Sequence, residues 1–356
     1  MKIGFDAKRY FHNKSGLGNY SRDLLNGMFS EHIEHDYYLF DKHPNSIDLL
    51  SHTHLVMPKG SAFLWREHGV LSQINAMKLD VYHGLSNELP FGNWRKDVKK
   101  IVTVHDAIFR RFPADYPLLD RWIYDKKTDY ALKKADVVIA TSQATAKDLD
   151  FYYRFDTNKI KVIYQSCGPE FKKEIAESVL DEFKTTYHLE QRFLLYVSSF
   201  QTRKQHIHLL KAFSFLKDEK VQLVLSGRKG ETFESCQAFV KEQGLEKRVL
   251  FITDLGATDL AKLYRCASAF VYPSKIEGFG IPLIEAAYAS LPILVNDVPI
   301  FNELAPPNSL SVKVEETELF ASQLKVLLEM PKQNYGNYLL QFDARKSMES
   351  TLATYR

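Results

Sequence analysis

The chain has 356 residues, 45% hydrophobic and 26% charged, with a formal net charge of +3. That length exceeds one ordinary hydrophobic core and predicts two domains, and so small a charge makes no case for a nucleic-acid partner. No segment approaches the roughly 18 apolar residues of a membrane span, and the opening MKIGFDAKRYF lacks the apolar core of a signal peptide. It reads instead as a first β-strand. Further strands are predicted at YYLF, HLVM, DVYHG, KIVTVHD, DVVIATS and KVIY. Helices fit between them at GNYSRDLLNGMF, RWIYDKKTDYALKKA and SQATAKDLDFYY, the last with Ser142 as a good N-cap. The stretch QSCGPEFKKEIAESVLDEFKTTYHLEQR turns and then becomes polar and helical. The alternation restarts with strands at FLLYVSS, VQLVLSG, VLFITD, SAFVYPS, LPILVND and LSVKV. Between these lie helices such as HIHLLKAFSFLKD, TFESCQAFVKEQG and TDLAKLYRCA.

This pattern predicts an α/β protein of two doubly wound parallel sheets, over residues 1–168 and 169–340. The tail, about 341–356, is expected to be a helix returning to the first domain. Such sheets bind ligands at the carboxyl ends of their strands, so the expected site is a cleft between domains. Three cysteines, far apart and odd in number, predict reduced thiols rather than disulfides or zinc. Basic pairs cluster in the first half: Arg95-Lys96, Lys99-Lys100, Arg110-Arg111, Lys126-Lys127 and Lys133-Lys134. They read as solvated surface, with a face toward anionic lipid or a phosphorylated acceptor as the alternative.

The stretch SKIEGFGIPLIEA, from Ser274 to Ala286, follows a predicted strand and opens a helix whose first turn accommodates Pro282. Backbone N–H groups at such a helix start attract anions, and glycines allow close approach of a ligand. Glu277 precedes the helix and Glu285 lies about one turn inside it. A carboxylate accepts two hydroxyl hydrogen bonds at once, so each glutamate suits a vicinal diol. A sugar, a phosphate and a ribose in that order make a nucleotide-sugar. On spacing alone, a surface loop with Glu285 as a helix-surface charge explains the stretch equally well. Arg203-Lys204, between a strand and a helix, suits a diphosphate or is a plain solvated pair. His105-Asp106 closes a strand, where a lone histidine is more often structural. Gly16 and Gly18 make a poor dinucleotide fingerprint, lying well past the first strand. Asp148-Leu149-Asp150 spells a metal motif of another fold but falls in or after a helix, and reads as solvated charge.

The EGFGIPLIE segment resembles the E-x7-E motif of retaining glycosyltransferases of the GT-B fold, family 4 (group 1). The resemblance extends over VLFITDLGATDLAKLYRCASAFVYPSKIEGFGIPLIEAAYASLPILVNDVPIFNEL, KVIYQSCGPEF, TVHDAIF and SGLGNYSRDLL. YVSSFQTRKQHIHLLKAF resembles the mannosyltransferase-like branch in particular. The resemblance implies a GT-B fold of two Rossmann-like domains, the first for the acceptor and the second for the donor. It implies that Arg203 and Lys204 hold the donor diphosphate. Glu277, with the backbone of Gly278, Phe279 and Gly280, would hold the donor sugar, and Glu285 the ribose. His105 would lie beside the reacting sugar, and Gly16 and Gly18 in a flexible loop near donor phosphate or acceptor. Catalysis would rest on His105, Glu277, Arg203 and Lys204, without metal or cofactor.

The expected donor is GDP-mannose. The expected acceptor is a glycan or lipid-linked hydroxyl in polysaccharide or glycoconjugate synthesis. The setting would be cytoplasmic, peripheral at the inner membrane face. The rivals are another GT-B enzyme, such as a sugar-nucleotide epimerase or phosphorylase, and a non-catalytic nucleotide-sugar-binding protein. The chain departs from the family pattern at Ser198-Ser199, at Ser290 and at Pro306-Pro307, which bears on donor identity more than on activity.

Overall fold

A computed structural model describes residues 1–13, 16–44, 50–60, 62–216 and 220–356. The chain divides into one unit of Met1–Ser166 with Phe342–Arg356 and a second of Cys167–Gln341. The first unit holds β1 (Lys2–Asp6), β2 (Asp36–Phe40), β3 (Thr53–Val56), β4 (Val81–Gly84), β5 (Lys99–Val104), β6 (Val137–Ala140) and β7 (Ile160–Val162). All pair in parallel in the order β3-β2-β1-β4-β5-β6-β7. Helices cover both faces, so β4 and all of β5 past Lys99-Lys100 are buried and read as apolar runs rather than alternations. The helix Ala344–Ala353 is capped by the Asp343 side chain, and adds Met348 and Leu352 to the core around Leu24, Leu25 and Met28.

The second unit holds β8 (Arg192–Val197), β9 (Val221–Ser226), β10 (Val249–Ile252), β11 (Ala269–Tyr272), β12 (Ile293–Val295) and β13 (Leu310–Ser311). Their order is β10-β9-β8-β11-β12-β13, again parallel. Only two residues of LSVKV pair as strand, because Val314 N turns to the Asn296 side chain (3.0 Å). In each sheet the winding direction reverses once, between β1 and β4 and between β8 and β11. Crevices open at such switch points, at the carboxyl ends of the strands.

Two expectations need correction. SGLGNY is not a loop over its described part: Gly16 and Gly18 lie in the first turn of the helix Gly16–Glu31, and Lys14 and Ser15 lie outside the described residues. Gly18 is needed for packing, since a Cβ there would stand 1.8 Å from the Asn13 carbonyl oxygen. The Arg22 guanidinium clamps that carbonyl and Tyr10 O at 2.8 and 3.0 Å. Asp148 is not a solvated charge either. It is largely covered, its carboxyl pushed up by burial, and it meets Arg111 at 3.5 Å. The helix expected at HIHLLKAFSFLKD spans His206–Ser214; Lys217 and Asp218 are outside the described residues. Cys167, Cys236 and Cys266 are buried and form no disulfide among the described residues.

Candidate active site

The loops leaving β8 and β11 meet at the switch point of the second sheet. After β8 the chain runs along the backbone beyond β9, with Ser198 N on Ser226 O (2.8 Å) and Phe200 N on Arg228 O (3.0 Å). Gly227, at φ +153°, makes room, because a Cβ there would lie 1.9 Å from Ser198 O. The short 3-10 turn Thr202–Lys204 follows. Glu231 fixes its start by accepting from both Thr202 N and Thr202 Oγ1 at 2.8 Å. The Tyr196 hydroxyl fixes its end by donating to Lys204 O (2.7 Å), and also meets Ser274 Oγ (3.1 Å). Lys275 N donates to Arg203 O (2.9 Å), tying the two loops together.

This scaffold brings Arg203 and Lys204 onto Glu277. Lys204 Nζ donates to Glu277 Oε1, and Arg203 Nη1 lies 3.7 Å from Oε2. The side chains of Lys204 and Glu277 are 9% and 10% exposed, so the pair is nearly dry. Burial opposes the Glu277 charge, but Lys204 and Arg203 outweigh it and hold the carboxyl below its ordinary range. Arg203 remains partly open, with Nη2 on Gln201 Oε1 at 2.9 Å. The helix Ile281–Tyr288 starts at Gly280, whose φ of +108° favours glycine, and carries Pro282 in its first turn. Glu285 is buried within that helix, and burial pushes its carboxyl up to about 7, against the nearby Tyr264 hydroxyl. Gly278, Phe279 and Gly280 form the connection between Glu277 and the helix.

Just behind the cations, His206 is 2% exposed and stacked on Phe200, with ring centroids 4.3 Å apart. Neither ring nitrogen has a hydrogen-bond partner, and burial depresses the imidazole to about 3. An unpaired buried polar group costs about 1–3 kcal/mol. His206→Phe is therefore expected to raise thermal stability, read as a higher Tm at pH 7.

In the first unit His105 follows β5 and is 7% exposed. Its Nε2 meets Leu85 O at 2.9 Å and its Nδ1 meets Gln165 Nε2 at 3.2 Å. A carbonyl can only accept and an amide N–H can only donate, so the ring is neutral with the proton on Nε2. Burial, opposed by Leu85 O and aided by the charge of Arg9, depresses its pKa to about 4. Nitrogen chemical shifts are expected to show a neutral Nε2–H imidazole at pH 5. The Tyr20 ring stands edge-on to His105 at 4.9 Å. A buried relay continues from Tyr20 OH to Thr103 Oγ1 (3.1 Å), His83 Nε2 (2.8 Å) and, from His83 Nδ1, Tyr355 OH (2.7 Å). Beside His105 opens a cavity of 220 Å³, lined by Arg9, Glu88, Asp106, Phe109, Tyr116 and Tyr124 among others. Leu17 also lines it, one position from both Gly16 and Gly18.

Comparison with known proteins now bears on this arrangement. The model of group 1 glycosyl transferases matches residues 180–338, and that of glycosyltransferase family 4 matches residues 15–167. The chain belongs to the family 4, group 1 glycosyltransferases. As a family 4 chain it is 27% identical over 249 residues to the O-antigen chain mannosyltransferase RfbU of Salmonella typhimurium. That match covers 68% of this chain and 65% of the relative, slightly under two thirds of its length. It is 24% identical over 332 residues to O-antigen chain mannosyltransferase B of Escherichia coli, covering 84% of this chain and 83% of the other. Among solved structures, Anabaena HepE in complex with UDP and glucose superposes with a TM-score of 0.75 at 15% identity, covering 99% of each chain. A glycosyltransferase from Rickettsia africae gives 0.76 at 14% identity, over 99% of this chain and 97% of the other. The fold of this family 4 chain is GT-B.

The fold also assigns positioning contacts to residues whose part in the site the sequence analysis does not name. Glu231, Tyr196 and Ser274 hold the loops that carry the cations, while Gln165 and Tyr20 hold His105. Glu231 lies 29 residues from Thr202 and Gln165 lies 60 from His105, so no local spacing could have found those contacts, whereas Tyr196 acts on Lys204 across only eight residues.

Proposed function

We propose that this chain transfers a sugar from a nucleotide-sugar to an acceptor hydroxyl, with retention at the anomeric carbon. The observation that carries this is the convergence of Arg203, Lys204 and Glu277 at the sheet's switch point, just before the helix that buries Glu285. The Lys204–Glu277 pair lies where this reading puts the donor. A donor entering there gives Lys204 and Arg203 a diphosphate, and leaves Glu277 to accept from sugar hydroxyls. Glu285 takes the ribose diol, and the helix start at Gly278–Gly280 faces the phosphates. In the reaction the bond from the anomeric carbon to the phosphate oxygen breaks, and its electron pair leaves with the diphosphate. Two buried-site cations stabilise that charge. The acceptor oxygen bonds to the same face, and its proton passes to a diphosphate oxygen. No metal is required in this scheme, because the guanidinium and ammonium supply the positive charge.

His105 is proposed to lie at the reacting sugar. Its ring nitrogens are both engaged, so it acts as a fixed neutral wall, or turns toward substrate once Gln165 releases it. The relatives' names favour mannose as the sugar and a surface polysaccharide as the product, with GDP-mannose as donor and a glycan or lipid-linked acceptor. The setting proposed is cytoplasmic. Thermal-shift measurements with GDP-, UDP- and ADP-sugars test the donor site. GDP-mannose is expected to raise Tm most, and failure of all three removes the proposal. Retention is read from the anomeric configuration of the product by NMR.

A further inference from the structure

Four polar side chains of the first unit run through its apolar core without reaching water. His83 and Thr103 are fully buried, and Tyr20 and Tyr355 nearly so. Tyr355 follows the helix Ala344–Ala353 and packs its ring on Phe5 and His83, with centroids 6.4 and 5.7 Å apart. Its hydroxyl lies 2.7 Å from His83 Nδ1, its one hydrogen-bond partner among the described residues. A buried O–H has to donate, so it donates to Nδ1 and the His83 proton sits on Nε2. Nε2–H then donates to Thr103 Oγ1 at 2.8 Å, and Thr103 shares a hydrogen bond of 3.1 Å with Tyr20 OH. Burial, aided by His105, depresses the His83 imidazole to about 3, so the ring is neutral and has one nitrogen for each role.

Stability does not call for such a chain of hydrogen bonds. Replacing both partners of a buried hydrogen bond by apolar groups of the same shape is nearly neutral, whereas a satisfied network holds its members in one arrangement. What this network holds is the Tyr20 ring, anchored at its hydroxyl by Thr103. The two hydrogen bonds of His105, to Leu85 O and from Gln165 Nε2, fix the imidazole at both nitrogens. They leave it free to tilt about the line joining those nitrogens. The Tyr20 ring, at 83° to the imidazole and 4.9 Å away, blocks that tilt.

We propose that Tyr355 is a positioning residue for His105, acting through His83, Thr103 and Tyr20. Its hydroxyl fixes the tautomer and the plane of His83. Without it the His83 proton can move to Nδ1 or the ring can turn, Thr103 loses its donor, and Tyr20 and then His105 are released. The coupling stands on these contacts alone. Its effect on turnover rests on the proposed place of His105 at the reacting sugar.

The test is Tyr355→Phe in the full chain, read first by NMR of the histidine ring nitrogens labelled with 15N. The substitution removes one oxygen and keeps the ring packed on Phe5. The His83 signals should shift, and those of His105 should shift as well, although three side chains lie between it and Tyr355. Thr103→Val cuts the network between His83 and Tyr20. It should move the His105 signals in the same way, and Tyr355→Phe added to it should move them no further. With turnover as the readout, Tyr355→Phe should lower kcat by roughly 10–100-fold, the effect of a small misplacement at a reacting centre, and leave the donor KM unchanged. It should cost nothing more in a His105→Ala background. Met348→Ala, in the same helix as the approach to Tyr355, should lower Tm without lowering kcat, which separates positioning from plain stability. His105 signals that stay in place in Tyr355→Phe, or that move further when it is added to Thr103→Val, overturn the proposal. So does a loss of kcat that persists without His105 or that Met348→Ala reproduces. Should the signals move as expected while the parent protein turns over no donor, the coupling stands and it is the proposed function that fails.

Discussion

Lys204→Met is expected to lower donor turnover by roughly 10²–10³-fold, the usual effect of removing one group that stabilises transition-state charge. The same change is expected to destabilise the ligand-free protein. Lys204 and Glu277 are nearly dry, and removal of one member of a buried ion pair costs about 3–5 kcal/mol because the other charge is left uncompensated. Arg203 at 3.7 Å from Glu277 Oε2 offsets part of that loss, so the lower end, about 3 kcal/mol, is expected. Glu277→Gln should also abolish turnover, since it exchanges an acceptor for sugar hydroxyls for a group that also donates. The double variant should be more stable than the sum of the single losses, because neither change then strands a charge. Denaturant melts of the four proteins measure this coupling. Additive losses would show that the two side chains do not depend on each other, and the reading of Lys204 and Glu277 as a coupled buried pair would fail.

Glu285→Gln is expected to stabilise the ligand-free protein at neutral pH while weakening donor binding. The ordinary glutamate value is 4.5, and burial raises Glu285 to about 7. Between those values the folded chain keeps a proton that the unfolded chain has released. The Glu285 contribution to stability therefore falls as pH rises from about 4.5 to about 7, and is flat above. Glutamine carries no such penalty. The stability advantage of Glu285→Gln should be absent near pH 4, grow with pH, and level off at about 3 kcal/mol above pH 7. Comparing the two proteins at each pH cancels the opposite trend from the buried neutral histidines His83, His105 and His206, whose unfolded forms take up protons below their ordinary 6.5. A ribose diol is best held by the ionised carboxylate. Donor-induced stabilisation of the parent protein should therefore increase with pH through about 7, with proton release on binding. In Glu285→Gln it should be weaker by roughly 10–100-fold in affinity and independent of pH. A pH-independent donor shift in the parent protein would remove Glu285 from the ribose.

The strands and their parallel, doubly wound class were legible because parallel sheets covered on both faces leave long apolar runs, as in FLLYVSS and VQLVLSG, separated by helical stretches of the right length. The EGFGIPLIE segment was legible for the same local reason. A strand end, two glycines, a proline in a first turn and two glutamates eight apart are all short-range features. Where local reading failed, a packing contact of the folded chain was responsible. SGLGNY carries glycines that suggest a loop, yet Gly18 is there because the Asn13 carbonyl packs against it. Asp148 looked solvated until Arg111, from another element, covered it.

The sequence by itself determined the two parallel sheets, because periodicity and spacing along the chain specify these, while the residues proposed to hold a nucleotide-sugar were singled out by resemblance to the family. Only the tertiary structure decided the states of those residues. It placed Lys204 on Glu277, raised Glu285 by burying it, and held His105 neutral through Leu85 and Gln165. It also brought Tyr355 from the end of the chain to His83, within the network that leads to His105. Charge, protonation and tautomer depend on neighbours and on exclusion of water, and these are properties of the packed chain.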